Sequence, residues 1–147
     1  MEQIVIRFIE KPDQNDAEGI IRWYCDVFGL SSQEAENPVE EQILKAFVEA
    51  ARDGKGLSSS ELDLEAKIAR STVIYHLNRF RDAGLIVKRG RKYYLRAGEM
   101  EKVIQEIGYD LERELRGLID SAKRLDMMMH GNMITVKSKG QGRDTRR

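Results

Sequence analysis

At 147 residues and zero net charge the chain has about one domain's length, and it can bury roughly two-thirds of its unfolded surface in a core without disulfide staples. With 41% hydrophobic and 34% charged residues it is not a disordered chain, no apolar run reaches the roughly 18 to 20 residues of a membrane helix, and Met1-Glu2-Gln3 starts no signal peptide, so a soluble, cytoplasmic chain without a membrane partner is expected. Cys25 is the only cysteine and His76 and His130 the only histidines, which excludes an intrachain disulfide and a Cys/His structural zinc site; no metal and no cofactor is expected.

Residues 3 to 10 alternate Ile4, Ile6, Phe8 against Val5, Arg7, Ile9, a β-branched period of two that reads as a strand. Pro12 to Asp16 supplies breaker and cap chemistry. From Ala17 to about Gly29, the residues Ile20, Ile21, Trp23, Tyr24, Val27 and Phe28 recur at helical spacing, giving an amphipathic helix closed by glycine. After a loop over 31 to 37, Asn37-Pro38 sets a cap residue before a proline in the first helical position, and Glu40 and Glu41 suit the positive helix start. This helix, 38 to 53, buries Val39, Ile43, Leu44, Phe47, Val48 and Ala51 and stops at Asp53-Gly54.

A short helix is expected over 58 to 67, where Ser58 and Glu61 have capping-box spacing. A second runs from Arg70 to Ala83 with Val73, Leu77 and Phe80 inward and ends at Gly84. Leu85-Ile86-Val87 and Tyr93-Tyr94-Leu95 then flank Lys88-Arg89-Gly90-Arg91-Lys92, a hairpin with a cationic tip. A long helix follows from Ala97 to about His130, about 50 Å at 1.5 Å per residue. Its stripe of Met100, Ile104, Ile107, Leu111, Leu115, Leu118, Ala122, Leu125 and Met129 averages close to 3.6 residues per step, which predicts a nearly straight helix. Gly108 and Gly117 each cost it roughly 1 kcal/mol relative to Ala, so tertiary or subunit packing must stabilise it. Met133 to Val136 reads as a short strand and Lys137 to Arg147 as a disordered basic tail.

The zero net charge conceals a segregation. Residues 1 to 66 carry 6 Lys/Arg against 15 Asp/Glu, residues 67 to 96 carry 9 against 1, and the remainder 10 against 9. A block of net charge +8 is the footprint of a polyanion-facing surface, or else a solvated face or one paired with the acidic first half. The order of three helices and a cationic hairpin is that of a winged helix-turn-helix, in which the second helix braces the third on the core and leaves its other face free for a major groove. At 100° per residue, Ser71, Tyr75, Asn78 and Asp82 point away from the core stripe, with Thr72 and Arg79 on the flank. Such groups bond base edges and phosphates, and Lys88, Arg89, Arg91 and Lys92 reach a flanking groove or backbone.

The stretch Arg70-Ser-Thr-Val-Ile-Tyr-His-Leu-Asn-Arg-Phe-Arg-Asp-Ala-Gly-Leu-Ile86, with Arg89-Gly-Arg-Lys-Tyr-Tyr-Leu95, resembles the recognition helix and wing of ArsR-like winged-helix transcriptional regulators, particularly archaeal ones. The likeness covers residues 38 to 96. It implies a homodimer on operator DNA with the helix of Ser71, Thr72, Tyr75, His76 and Arg79 in the major groove. Lys67 stands where that family often has Gly, and Ala69 where a capping Ser is usual, a loss of about 1 kcal/mol if nothing else caps the helix.

Metal sensing in such regulators uses paired cysteines or Asp/His clusters. Cys25, alone on an apolar helix, reads as a buried small hydrophobe and not a sensor thiol. His76 reads as packed or phosphate-contacting, and the Asp126 and His130 pair, four apart on one helix, has no further His nearby. Trp23, Tyr24 and Phe28 form core or subunit interface, or else an effector pocket; Met127 to Met129 pack a helix end; the basic tail adds phosphate affinity or solubilises. No phosphate-binding glycine loop, Cys/His dyad or motif-placed carboxylate pair points to an enzyme.

The expectation is therefore a mainly α chain with a small β-hairpin (α+β): a strand-helix extension (1–36), a winged helix domain (37–96), a dimerisation helix (97–132) and a basic tail (133–147). Its expected function is sequence-specific binding of double-stranded DNA by a homodimer that regulates transcription. The DNA-binding set is Arg70, Ser71, Thr72, Tyr75, His76, Asn78, Arg79, Lys88, Arg89, Arg91 and Lys92, and the dimer set is Ile104, Ile107, Leu111, Leu115, Leu118, Ala122 and Leu125. The alternative is a winged-helix module that docks on protein or RNA in a larger complex, with the acidic first 66 residues as partner surface.

Overall fold

A computed structural model describes residues 4–11, 16–31, 38–62, 64 and 67–139, with the backbone alone beyond 131. The chain is mainly helical with one two-stranded antiparallel sheet: α1 (Ala17–Val27), α2 (Val39–Ala51), a 3-10 turn (Ser59–Glu61), α3 (Arg70–Asp82), β1 (Ile86–Arg89), β2 (Lys92–Leu95) and α4 (Met100–Lys139). It divides into two compact units, one ending at Gln105 and the other beginning at Glu106.

In the first unit, Asp16 caps α1 by accepting the Gly19 N–H at 2.8 Å, a contact worth about 1 kcal/mol. The helix closes through Gly29 at φ +69°, with the Leu30 N–H on the Cys25 carbonyl at 2.7 Å and the Gly29 N–H on Asp26 at 3.1 Å. That is the paired 6→1 and 5→2 bonding of a Schellman ending. α3 ends the same way: Gly84 sits at φ +83°, the Leu85 N–H reaches Phe80 at 3.1 Å and the Gly84 N–H reaches Arg81 at 2.9 Å. Both endings bury the residue after the glycine, Leu30 and Leu85.

The core gathers Ile43, Leu44 and Phe47 from α2, Val73, Leu77 and Phe80 from α3, Leu85, Ile86, Tyr93 and Leu95 around the hairpin, and Cys25, Phe28 and Leu30 around the end of α1. Each fully buried large apolar side chain contributes about 1.5 to 3 kcal/mol. α1 packs on α2, α2 on β2, and α3 on both β1 and the 3-10 turn. The hairpin pairs Ile86 with Leu95, Val87 with Tyr94, Lys88 with Tyr93 and Arg89 with Lys92, so its loop is Gly90-Arg91, with Gly90 at φ +64°. Leu57 adds a single antiparallel bridge to Tyr93, both N–H to carbonyl distances being 2.8 Å.

Several elements depart from the sequence reading. Residues 4–11 form no strand, because among the described residues nothing offers them a ladder. Their ties are single bonds: the Arg7 N–H to Val27 at 2.8 Å and the Trp23 indole N–H to the Ile9 carbonyl at 3.1 Å. Pro38 is the N-cap, with ψ 143°, so α2 starts at Val39; Asn37 lies outside the described residues. Of the helix expected over 58 to 67, residues 63, 65 and 66 lie outside the described residues, and the described ones form a 3-10 turn at Ser59–Glu61. Its capping box forms, with the Ser58 N–H on Glu61 Oε1 at 2.8 Å, but Leu62 takes extended backbone and ends the turn.

α4, which begins within the first unit and makes up the described part of the second, is an unbroken helix. It starts at Met100 and not at Ala97, since residues 96–99 form bends, and it continues through the expected strand at 133 to 136 to Lys139. No proline interrupts that stretch, and helix propagation costs less than starting an isolated strand with no partner. Its 40 residues span about 60 Å. Of the expected tail, residues 140 to 147 lie outside the described residues.

Candidate nucleic-acid interface

α3 has no side-chain cap, as Ala69 stands in the N-cap position, and its orientation comes from packing. Val73, Leu77 and Phe80 are buried, which turns Arg70, Ser71, Thr72, Tyr75 and Asn78 to the exposed side. Tyr75 is 58% exposed, a large aromatic left in water by its own helix.

The hairpin brings Lys88, Arg89, Arg91 and Lys92 out on adjacent exposed positions. Two of these cations are braced by rings: Lys88 Nζ lies 5.5 Å from the centroid of Tyr93, and Arg89 Cζ lies 5.2 Å from that of Tyr94. Such contacts at exposed sites are worth about 0.5 to 1 kcal/mol. Gly56 lies against this brace, and a Cβ there would stand 2.5 Å from the Tyr94 ring and displace it.

Between α3 and the hairpin runs an open groove of about 650 Å³, lined by Ser58, Ser59, Ser60 and Glu61 on one wall, Arg70 and Ile74 from α3, and Lys88, Gly90, Arg91, Lys92 and Tyr93 from the hairpin. Four cations, three serine hydroxyls and the Tyr93 side chain line it against one carboxylate. That carboxylate, Glu61, holds Lys92 at 3.7 Å. The Ser58 backbone and hydroxyl hydrogen bonds, with Lys92 adding, hold Glu61 below the usual carboxylate range. The three serines are site residues that the sequence alone does not reveal. Their capping spacing is visible there, but their place on the groove depends on the Leu57 to Tyr93 bridge and on the 3-10 turn packing against α3.

Two residues of the expected DNA-binding set face the protein instead. Arg79 donates from Nη2 to the Gly29 carbonyl at 2.5 Å and from Nη1 to the Leu30 carbonyl at 3.3 Å, so its fork satisfies the end of α1, while its Cζ lies 5.8 Å from the Tyr75 ring. His76 is 9% exposed and its ring meets Tyr75 edge-on at 5.3 Å. Burial pushes the imidazole below the usual histidine range, the nearby Glu40 carboxylate opposing and Arg79 reinforcing that shift. The members of the set that remain open to a ligand are thus Arg70, Ser71, Thr72, Tyr75 and Asn78 with the four hairpin cations.

Elsewhere, Cys25 is fully buried, and burial, with Glu41, Glu40 and Asp26 adding, pushes its thiol far up, which leaves it unreactive. Among the described residues no three His, Cys, Asp or Glu side chains group to hold a metal ion, and no helix is long and apolar enough to cross a membrane. Of the expected dimer set, Ile107 is buried and Ile104 half-buried, whereas Leu111, Leu115, Leu118, Ala122 and Leu125 are exposed. No protein-family model, curated protein or solved structure matches the chain.

Proposed function

We propose that the protein is a sequence-specific, double-stranded DNA-binding transcriptional regulator that acts as a homodimer, with α3 as recognition helix and the hairpin as wing. The observation that carries this reading is the shared groove: the first turns of α3, through Arg70 and Ile74, and the cationic hairpin border one cleft, with Arg70, Lys88, Arg91 and Lys92 on its walls. In this reading Ser71, Thr72, Tyr75 and Asn78 meet base edges in the major groove, and the four hairpin cations hold phosphates and set register. In this reading the 3-10 turn, with its serines on the groove, stands in for the second helix of a helix-turn-helix, and the likeness of residues 70 to 95 to ArsR-like regulators supports the same assignment. Arg79 and His76 act through α3, fixing its position rather than touching DNA.

Selection of duplexes from a random pool by the purified chain tests the proposal. An enriched sequence, bound more tightly than random duplex in anisotropy titrations and weakened steeply by salt, is expected. Recovery of a stoichiometric protein or RNA partner, with no duplex enriched, would replace it with the docking-module alternative.

A further inference from the structure

From Leu111 onward the apolar residues of α4 lie open: Leu111 is 38% exposed, Leu115 55%, Leu118 67%, Leu125 57% and Met129 54%, with Ala122 exposed between them. Their steps are 4, 3, 4, 3, 4. Leu111, Leu118 and Leu125 thus stand seven apart, as do Leu115, Ala122 and Met129, an unbroken heptad repeat (3.5 residues per core position) that the consecutive steps of four at Ile107, Leu111 and Leu115 interrupt in the full stripe from Met100. A 3.5 period keeps one seam turned to a neighbouring helix over successive turns, and only a helix of the same period fills it.

We propose that this seam is covered by the same seam of a second copy, run antiparallel about a two-fold axis beside Asp120. This specifies the homodimer of the DNA-binding reading and rests on it. In that pairing Leu111 meets Met129 of the second copy, Leu115 meets Leu125, and Leu118 meets Ala122. Size complementarity selects it. Every layer joins two large side chains or one large and one small, whereas a parallel pair would set Ala122 on Ala122 and leave an underfilled layer. The flanks agree: Ile119, 47% exposed, meets its own copy across the axis, where a parallel pair would set it against Glu114. One like-charged flank results, Glu112 facing Asp126, and Glu112 already holds Arg116 at 3.9 Å.

The test uses full-length chains carrying Leu111→Cys or Met129→Cys, with buried Cys25 retained. Co-refolded and oxidised together, the two variants are expected to give a covalent dimer. Leu111→Cys alone is expected to give none, since its two sulfurs would stand 18 residues, about 27 Å, apart along the axis. Leu115→Cys with Leu125→Cys repeats the measurement at a second layer. Self-linking of Leu111→Cys, which a parallel pair requires, overturns the proposal, as does a 16.9 kDa monomer in light scattering of the unmodified chain. Selective duplex binding by a parallel dimer would remove the antiparallel seam and leave the DNA reading standing, selective binding by a monomer would remove both the seam and the homodimer while leaving the DNA interface, and antiparallel linking without duplex selectivity would support the seam and remove the DNA reading.

Discussion

Arg79 of α3 and Gly29 after α1 are joined by a hydrogen bond of 2.5 Å from the guanidinium Nη2 to the carbonyl, with Leu30 taken by Nη1 at 3.3 Å. The bond ties the best DNA-facing candidate helix to the negative end of another helix, where a cation is favourable. Arg79→Ala removes a charge-assisted fork from part-buried carbonyls and is expected to cost about 2 kcal/mol. Arg79→Lys should recover only part, since lysine lacks the planar fork. Urea unfolding midpoints decide it: an Ala variant that unfolds together with the parent protein would show that the tie carries no weight.

Tyr75 is the contrasting case, since 58% of it is in solvent and little of the fold rests on it. Tyr75→Ala is expected to leave the unfolding midpoint nearly unchanged while weakening the selected duplex by about 1 to 3 kcal/mol, with random duplex less affected. Equal weakening on both duplexes would assign Tyr75 to holding rather than reading.

These two residues also mark how far the sequence can be read. Periodicity places both on α3, and the stripe of Val73, Leu77 and Phe80 settles which face is inward. Arg79, on the flank of that face, is decided by where the end of α1 lies, and no local pattern reports a bond to a carbonyl 50 residues away. The same holds for Ser58 to Ser60, whose capping chemistry is local but whose place on the groove comes from the Leu57 to Tyr93 bridge. Residues 4–11 fail in the opposite direction: their alternation is a strand signal, yet a strand exists only where another supplies the ladder. Helix ends are most legible, because Gly29 and Gly84 are demanded by positive φ.

His76 gives the pH dependence. Its imidazole titrates below the ordinary value of 6.5 because burial disfavours the charged form, so the folded state binds fewer protons than the unfolded chain below that pH. The stability it contributes is therefore full above about pH 6.5 and declines as pH falls through the folded value, with a slope of at most about 1.4 kcal/mol per pH unit for one proton. His76→Gln should flatten that decline between about pH 6.5 and 5 relative to the parent, a comparison in which the upward-shifted Glu41 is common to both chains. Parallel stability curves for the two proteins would contradict the assignment.

The hairpin cations make a prediction of opposite character. Arg89→Ala with Arg91→Ala removes two hairpin charges from exposed positions, so binding should weaken on selected and random duplexes alike, and the slope of log affinity against log salt should drop by about one for each phosphate that the variant no longer holds. Glu61 acts against those cations. It is an exposed carboxylate on the groove wall, 3.7 Å from Lys92, and in the bound complex it would stand near the phosphate that Lys92 serves. Glu61→Gln keeps an acceptor for the Ser58 N–H, since glutamine also closes a capping box, and removes only the charge. Affinity for all duplexes should rise by about two- to fivefold, the scale of an exposed ion-pair effect, with a steeper salt dependence because Lys92 is released to phosphate. Anisotropy titrations at several salt concentrations measure both variants. If Glu61→Gln binds no better and Arg89→Ala with Arg91→Ala keeps the parent slope, neither the groove wall nor the hairpin faces the backbone, and α3 would have to approach DNA without them.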